Sequence, residues 1–333
     1  MERLDLTYLN GPDVEQLALT DDEILDAVEA ALRAQGEGQT VLEPRVHLKP
    51  DPAVDGHFNV LRGVVLPLGL AGVKIVGDFH GNYRVGLPSE LALLVLMDPG
   101  TGQPRAIVDA TGITEMRTGA VTALGARHLA PRGARVLGHV GARGTAYWNV
   151  RLLHRVLELD EIRVHSRRPE SRATFAARLE ADLGRPVTVT EDWESCVRGA
   201  DVVVEASRLE APEPLLLTEW IEPGALVVPY GTMSAVELSL TSIMDKVVVD
   251  DWGQAGAGPF GALRRHVDQG LVTAETLHAE LGQIVAGLRP GREYGDETIL
   301  FWHRGLSTTD VALGHALLTK AERLGIGQRL RYH

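Results

Sequence analysis

Residues 134–147 read Ala-Arg-Val-Leu-Gly-His-Val-Gly-Ala-Arg-Gly-Thr-Ala-Tyr. The apolar run over 135–140 predicts a buried strand, the glycines predict a tight turn, and a helix is expected to begin near Thr145. Backbone N–H groups point outward at such a helix N-terminus, and the helix dipole favours anions there. The stretch is therefore typical of the turn that binds the pyrophosphate of a dinucleotide.

The turn matches the dinucleotide fingerprint G-x-G-x-x-G/A at two of its three positions. Gly141 and Ala146 fit, whereas Arg143 stands where the middle glycine is expected. This arginine must either point away from a pyrophosphate or reach over it as a cation. A tight strand-to-helix turn without a ligand is the alternative interpretation. The candidate cofactor contacts of the turn are Gly141, Arg143, Gly144 and Thr145.

Five further apolar runs follow this strand, and helical patterns separate most of them. Valine-rich runs that alternate with helices predict a parallel sheet that is covered on both faces. Six runs match a Rossmann-type doubly wound sheet in number. The runs are 135–140, 162–165, 186–190, 201–205, 225–229 and 246–249.

The half of the chain before this sheet has a different pattern. Thr20 and Glu23 form a capping-box pattern before a helix that should reach about Ala34. Turn signals separate several strands, which predicts an antiparallel or mixed sheet. Thr114 is expected to cap a long helix, and a final helix from about Ser307 is expected to pack back on this half. The predicted strands are 5–9, 45–49, 57–66, 71–77, 91–97 and 104–109.

The end of the second parallel strand bears on the choice of cofactor. An Asp or Glu that binds the ribose hydroxyls ends this strand in NAD-preferring domains, but residues 162–168 contain no acid. Ser166, Arg167 and Arg168 suit a 2′-phosphate, so NADP(H) is preferred over NAD(H), with a solvated basic loop as the alternative. Ser207, after the fourth strand, is a candidate contact for the nicotinamide ribose.

Composition excludes several other classes. The net charge of −12 over 333 residues argues against a nucleic-acid partner, and the longest apolar runs are too short to span a membrane. The single cysteine, Cys196, excludes an intrachain disulfide and indicates a reducing cytoplasm. The 12 histidines show no zinc-binding spacing, so no metal site is predicted.

A second set of motifs identifies a family. Four lie between residues 72 and 118: Gly72-Val-Lys-Ile-Val-Gly, Gly86-Leu-Pro-Ser, Met97-Asp-Pro-Gly-Thr-Gly-Gln-Pro and Ile113-Thr-Glu-Met-Arg-Thr-Gly-Ala. Others are Pro44-Arg45, Val247-Val-Val-Asp-Asp-Trp252 and Gly305-Leu-Ser-Thr-Thr-Asp310. Together they resemble the ornithine cyclodeaminase/μ-crystallin family over most of the chain.

The resemblance implies a homodimer with a nicotinamide cofactor. Residues 1–118 and 306–333 would form the substrate-binding and dimerisation domain, and residues 119–305 the dinucleotide-binding Rossmann domain. Positions that match the family's substrate site, where the α-carboxylate is held and the carbon reacts, are Arg45, Lys74 and Arg117. Cofactor contacts are expected from Ser89 and Thr118, and an acid near the site from Asp310.

The chemistry of the basic residues agrees with this assignment. The planar guanidinium groups of Arg45 and Arg117 suit a carboxylate, although ordinary ion pairs are the alternative. Lys74 lies within an apolar strand, where burial would lower its pKa and suit it to proton transfer. A surface lysine on an edge strand is the alternative for Lys74.

The sequence departs from the cyclodeaminases of the family at one position. Those enzymes place an Asp after the fifth strand of the nucleotide domain, and Gly231 stands there in this chain, with no acid between Pro229 and Val236. Cyclodeamination is therefore disfavoured. The C-terminal region looks most similar to the branch that makes diaminopropionate precursors by oxidative cleavage with a nicotinamide cofactor.

The sequence thus predicts an NAD(P)-dependent oxidoreductase that transfers hydride at the α-carbon of an amino or imino acid. Two alternatives stay open. One is a cyclodeaminase of ornithine, lysine or arginine with relocated proton chemistry. The other is a binding protein of the μ-crystallin type that holds NADPH and a small ligand with little turnover.

Overall fold

The computed structural model describes residues 3–51, 54, 56–209 and 211–333. The chain divides into two compact units. The first comprises Met1–Arg117 and Leu306–His333, and the second, Thr118–Gly305, is inserted between these two segments. The fold is α/β, with a Rossmann-type doubly wound parallel sheet inserted in an α+β unit.

The first unit contains a mixed sheet, as the sequence predicts. Its strands pair in the order β16-β1-β7-β6-β5-β4-β2, and β3 pairs with β4. All of these pairs are antiparallel except that of β1 with β7. The strands are β1 Asp5–Leu9, β2 Thr40–Leu42, β3 Val46–Leu48, β4 His57–Val65, β5 Leu70–Asp78, β6 Glu90–Met97, β7 Pro104–Asp109 and β16 Gln328–Arg331. The short edge strands β2 and β16 were not predicted from the sequence.

The helices that begin in the first unit are α1 Gly11–Leu17, α2 Asp21–Gly36, α3 Thr111–Leu129 and α10 Ser307–Leu324. The expected capping box of α2 is present: the Thr20 hydroxyl accepts from the Glu23 N–H at 3.2 Å, and the Glu23 carboxylate accepts from the Thr20 N–H at 2.8 Å. The expected cap at Thr114 is wrong. Helix α3 begins three residues earlier, because the Asp109 carboxylate accepts from the Thr111 N–H at 2.9 Å.

Helix α10 lies very close to the sheet of the first unit. A Cβ atom at Gly72 on β5 would lie 2.5 Å from the Val311 side chain, and one at Gly314 on α10 would lie 2.5 Å from the Leu94 side chain. Only glycine permits this approach at either position. The close packing carries Asp310, in the first turn of α10, onto the inner face of the sheet.

The second unit contains an eight-stranded sheet whose strands are all parallel. The order is β10-β9-β8-β11-β12-β15-β13-β14. The six predicted runs all form strands, whereas β14 and β15 were not predicted, and β15 lies between the fifth and sixth of the predicted strands. The strands are β8 Val136–Val140, β9 Glu161–His165, β10 Thr188–Val189, β11 Val202–Glu205, β12 Leu226–Pro229, β13 Lys246–Val249, β14 Ala279–Glu280 and β15 Ile299–Trp302.

The helices of the second unit include the one that follows the glycine turn. They are α4 Ala146–Leu157, α5 Pro169–Leu183, α6 Trp193–Val197, α7 Trp252–Ala255, α8 Arg264–Asp268 and α9 Leu281–Val285. From β8 the chain proceeds to β9 and β10 on one side of the sheet and then to β11 and β12 on the other side. The order in which strands are added therefore reverses between β8 and β11. Ligands of doubly wound sheets bind in the crevice at this point. Across the described ranges, no helix has the length and apolar character needed to cross a bilayer.

Candidate active site

Lys74 is a buried lysine at the centre of β5. Its side chain is 1% exposed and lies on the sheet face that α10 covers. Its Nζ donates hydrogen bonds to Thr114 Oγ1 at 3.0 Å and to Asp310 Oδ1 at 2.5 Å. Thr114 lies inside α3, where its hydroxyl donates to the Ala110 carbonyl at 3.5 Å while its oxygen accepts from Lys74. Lys74 is therefore not the surface residue that the alternative interpretation described.

The surroundings of Lys74 lower its pKa below that of an ordinary lysine. Burial lowers the pKa of Lys74 to about 8, and the positive charges of Arg117 and Arg45 act in the same direction. The carboxylate of Asp310 opposes them and keeps the pKa from falling further. A lysine with this pKa can both hold and release a proton near neutral pH.

Asp310 joins two of the predicted site residues. The carboxylate is completely buried, and its Oδ1 accepts from Lys74 Nζ and, at 3.1 Å, from Arg117 Nε. Its other oxygen, Oδ2, is buried and has no hydrogen-bond partner among the described residues. An ionised buried carboxylate has several acceptor positions, so Oδ2 is available to a further donor.

Arg45 and Ser89 complete the predicted residues of the first unit. Arg45 precedes β3, is half-buried, and is close enough to Lys74 for its charge to lower the pKa of that lysine. Ser89 lies exposed before β6, and its carbonyl accepts from the Phe79 N–H at 2.8 Å. The first unit thus brings together Arg45, Lys74, Arg117 and Asp310 around one buried ion pair.

The glycine turn of the second unit is shaped to let a ligand approach its backbone. Gly141 has φ +110°, and a Cβ atom there would lie 2.8 Å from the Ala206 carbonyl oxygen, so only glycine fits. The other left-handed glycine of the turn is Gly144, with φ +56°, one residue later than the fingerprint expects. Arg143 is exposed and keeps an ordinary negative φ, so its side chain does not fill the turn.

Three hydrogen bonds hold this turn and the helix that follows. The His139 ring Nδ1–H donates to the Gly141 carbonyl at 2.9 Å, and burial lowers the pKa of His139 to about 4, so the ring is neutral. At the start of α4, the Thr145 hydroxyl is hydrogen-bonded to the Tyr230 hydroxyl at 2.7 Å, and the Asn149 amide donates to Tyr230 at 2.8 Å. These three hydrogen bonds fix the backbone where the pyrophosphate is expected.

The residues predicted to suit a 2′-phosphate, Ser166, Arg167 and Arg168, follow the end of β9 and are called the basic corner. Arg167 and Arg168 are exposed, and the Ser166 hydroxyl donates to the Arg168 carbonyl at 3.3 Å. Sequence reasoning missed Arg172, whose guanidinium donates to the Ser166 carbonyl at 3.1 Å and lies 3.2 Å from the buried His165 ring. Its position four residues after Arg168, one turn into α5, was the available signal.

An acid that the sequence did not single out lies at the end of β11. Glu205 is completely buried, and its Oε1 accepts from the Ser207 N–H at 2.7 Å. A Cβ atom at Gly231 would lie 2.6 Å from Glu205 Oε2. Residues 229–236 contain no acid, but the carboxyl group of Glu205, from the neighbouring strand β11, lies beside Gly231. The available signal was an acid that ends a run of three valines.

Thr118 is a further residue predicted to contact the cofactor. Thr118, the first residue of the second unit, is buried, and its carbonyl accepts from the Thr122 hydroxyl at 3.2 Å. Among the described residues there is no group of three or more His, Cys, Asp or Glu side chains that could hold a metal ion.

Comparison with known proteins agrees with this geometry. The chain is 31% identical to an alanine dehydrogenase from Archaeoglobus fulgidus over 100% of this chain and 99% of that protein. It is 29% identical to an N-((2S)-2-amino-2-carboxyethyl)-L-glutamate dehydrogenase from Staphylococcus aureus over 99% of each. A solved archaeal alanine dehydrogenase dimer with bound NAD superposes with a TM-score of 0.90 at 30% identity, covering 99% of this chain and 100% of that one.

These relatives confirm the prediction of a nicotinamide-dependent oxidoreductase of amino or imino acids. The family match covers residues 7–323, which is nearly the whole chain. The chain belongs to the ornithine cyclodeaminase/mu-crystallin family.

Proposed function

We propose that this protein interconverts a 2-amino acid and the corresponding 2-imino acid. Hydride passes between the α-carbon and the nicotinamide, so that oxidation of the amino acid yields the imino acid, the reduced cofactor and one proton. The buried cluster of Lys74, Arg117 and Asp310 is the observation that carries the proposal. It supplies a cation for the substrate carboxylate, a group that transfers the proton, and an acceptor for the amine.

The carboxylate of the substrate is assigned to Arg45 and Arg117. Both are cations of the first unit that act on the pKa of Lys74, so both lie near the proposed reacting centre. A guanidinium binds a carboxylate through two parallel hydrogen bonds, which fixes orientation as well as charge. Orientation of this kind can lower a barrier by several kcal/mol, up to roughly 7–11 kcal/mol in the best intramolecular reactions.

The proton of the reaction is assigned to Lys74, and the amine to Asp310. The neutral form of Lys74 accepts a proton during oxidation, and its ammonium form returns one during reduction. The buried Oδ2 of Asp310, which has no partner in the described part of the chain, is suited to accept an N–H of the substrate amine or imine. Asp310 also holds Lys74 and Arg117 at fixed positions.

The cofactor is assigned to the second unit, where it would supply or accept the hydride. The turn at Gly141 suits the pyrophosphate. NADP(H) is proposed in preference to NAD(H), because Ser166, Arg167, Arg168 and the half-buried Arg172 offer a hydroxyl and three cations at the end of β9. Further contacts to the cofactor are assigned to Ser89, Thr118, Arg143, Gly144, Thr145 and Ser207.

A homodimer is proposed through the outer face of the first unit's sheet. Ile75 and Leu93 stand opposite each other on β5 and β6 and are 44% and 42% exposed. Phe58 and Leu91 extend this apolar surface. A second copy would remove the surface from water, and the archaeal relative of known structure is a dimer. The one cysteine, which is buried and unpaired, supports a cytoplasmic location.

One assay separates the proposal from its alternatives. NADPH absorbance is followed with a panel of cyclic imines and of 2-oxo acids plus amines, while ammonia is measured with ornithine, lysine and arginine. Net consumption of NADPH supports the proposed reaction. Release of ammonia without net use of cofactor would instead support a cyclodeaminase. Tight binding of NADPH without either change would support a binding protein of the μ-crystallin type.

A further inference from the structure

Glu205 is a buried acid that the proposed reaction does not use. It is the last residue of β11, and it stands in register with Val140 at the end of β8 and with Pro229 at the end of β12. The strands β8 and β11 flank the point where the strand order of the sheet reverses. Glu205 therefore lies at the carboxyl edge of the sheet, in the crevice where a dinucleotide binds.

The position of Glu205 along this edge indicates which half of a dinucleotide it faces. The pyrophosphate is bound by the turn after β8, and the adenosine ribose by the end of β9 on one side. The nicotinamide half must then extend to the other side, toward the ends of β11 and β12. Glu205 ends the first of these strands, and its Oε2 would lie 2.6 Å from a Cβ atom at Gly231, two residues after the second.

The carboxyl group is held but not neutralised. Its Oε1 accepts from the Ser207 N–H at 2.7 Å, whereas Oε2 is buried and has no hydrogen-bond partner among the residues that the structure describes. Burial raises the pKa of Glu205 to about 7, and hydrogen bonds from Ser207 and Gly231 oppose this rise. The group therefore changes charge within the physiological range.

Other titratable groups lie on the elements that pack against Glu205. His139 on β8 is neutral, since its pKa is about 4, and its Nδ1–H is bonded to Gly141. The Tyr230 hydroxyl, after β12, is bonded to Thr145 and Asn149. Arg208, in the loop after β11, is exposed. The charge of Glu205 is thus set by burial and by hydrogen bonds from Ser207 and Gly231, and no ionised side chain is among these causes.

We propose that Glu205 is the counter-ion of the oxidised nicotinamide ring, so that its proton is linked to the redox state of the bound cofactor. The oxidised ring carries a positive charge and the reduced ring does not. A buried carboxylate beside the ring is stabilised by that charge, whereas a neutral carboxylic acid suits the reduced ring. Binding of the oxidised cofactor should therefore release the Glu205 proton, and binding of the reduced cofactor should retain it. The inference rests on the proposed nicotinamide cofactor.

The test is the binding of NADP⁺ and NADPH between pH 5.5 and 7.5, measured by calorimetry in two buffers of different ionisation enthalpy. In the unmodified protein, NADP⁺ should release up to one proton more than NADPH below the pKa of Glu205. The affinity ratio of NADP⁺ to NADPH should rise with pH, by at most about tenfold per pH unit, until Glu205 is ionised. Protonation of the 2′-phosphate and of His165 affects the binding of both nucleotides, so its effect cancels in the affinity ratio.

Two variants make the test specific to Glu205. Glu205→Gln keeps the shape and the acceptor for Ser207 but carries no proton to release, so the ratio should become independent of pH. The exposed Glu213 lies in the loop that follows the same strand, and Glu213→Gln should behave as the unmodified protein does. The thermal midpoint of each variant shows that it is folded, and the pH series of the unmodified protein stands without any variant.

Binding of both nucleotides with equal proton release would overturn the role of Glu205 and leave the proposed function intact. Unchanged proton release in Glu205→Gln would also overturn it. Absence of binding of either nucleotide by the unmodified protein would overturn the proposed function and this inference together.

Discussion

Lys74 and Asp310 are 236 positions apart in the chain, yet Lys74 Nζ and Asp310 Oδ1 lie 2.5 Å apart in a buried ion pair. The contact depends on glycines, because Gly72 and Gly314 allow α10 to lie against β5 and β6. Breaking a buried ion pair by removing one partner is far more damaging than losing a surface pair. The pair therefore bears on stability as well as on the proposed chemistry.

Replacing Lys74 should separate catalysis from cofactor binding. Lys74→Met removes the proton-transferring group, so turnover should fall by about 10²–10⁴-fold. Binding of NADPH, which is assigned to the second unit, should change little. Steady-state kinetics and a fluorescence titration with NADPH measure the two effects, and full turnover in the variant would contradict the role of Lys74.

The same variant should lower stability. Among the described residues, Arg117 would be the one charged hydrogen-bond partner left to Asp310, and the loss is expected to be about 3 kcal/mol. Denaturant unfolding measures it. Lys74→Arg is the matched control, since it retains the charge for Asp310 but not a titration near pH 8. This control should be more stable than Lys74→Met and similarly inactive.

The pH dependence of kcat/KM should have opposite signs for oxidation of the amino acid and reduction of the imine. The pKa of Lys74 is about 8, so kcat/KM for oxidation of the amino acid should rise through this pH, because the neutral amine must accept a proton. For reduction of the imine, kcat/KM should fall over the same range, because the ammonium form must donate. Asp310→Asn should move both transitions to lower pH, since the Asp310 carboxylate raises the pKa of Lys74. If kcat/KM changed with pH in the same direction for oxidation and for reduction, this would contradict the assignment of the proton transfer to Lys74.

Substitutions in the glycine turn should differ with position. Gly141→Ala places a Cβ atom 2.8 Å from the Ala206 carbonyl at a positive φ, so it should weaken binding of both NADPH and NADH and lower stability by about 1–3 kcal/mol. Gly144→Ala meets no neighbouring atom and should cost only about 1–2 kcal/mol for its left-handed backbone. Equal nucleotide affinities in the two variants would argue against the turn as the pyrophosphate site.

The basic corner should decide between the two nicotinamide cofactors. Arg168→Leu and Arg172→Leu should each weaken NADPH binding by about tenfold and leave NADH binding nearly unchanged, because only NADPH carries the 2′-phosphate. The exposed Arg155 on α4 provides the control, and Arg155→Leu should affect neither. A preference for NADH in the unmodified protein would overturn the assignment of NADP(H).

The outer face of the first unit's sheet should set the oligomeric state. Ile75→Asp and Leu93→Asp place a charge in the surface proposed to meet a second copy, so light scattering should show a monomer. Leu288, which is 63% exposed in the second unit, provides the control, and Leu288→Asp should leave the dimer intact. A dimer that survives both first-unit substitutions would show that the interface lies elsewhere.

Local pattern was sufficient for most of the fold. The six valine-rich runs form the predicted parallel strands, and the Thr20–Glu23 capping box starts α2 as expected. Both features arise from interactions between residues close in the chain. The start of α3 was misplaced because Thr111 and Thr114 are both residues that cap helices well, and only the bond from Thr111 to Asp109 distinguishes them. Strand β15, with four apolar residues, has no periodicity that separates it from a short buried helix.

The sequence by itself determined the class of the sheet, the glycine turn and the identity of the basic residues, because these depend on spacing and residue type. Only the tertiary structure decided that Asp310 pairs with Lys74, that Arg172 joins the basic corner, and that Glu205 lies beside Gly231. Burial and charge at these positions come from residues far apart in the chain. The pKa of a lysine or a glutamate depends on those neighbours, and no local pattern encodes them.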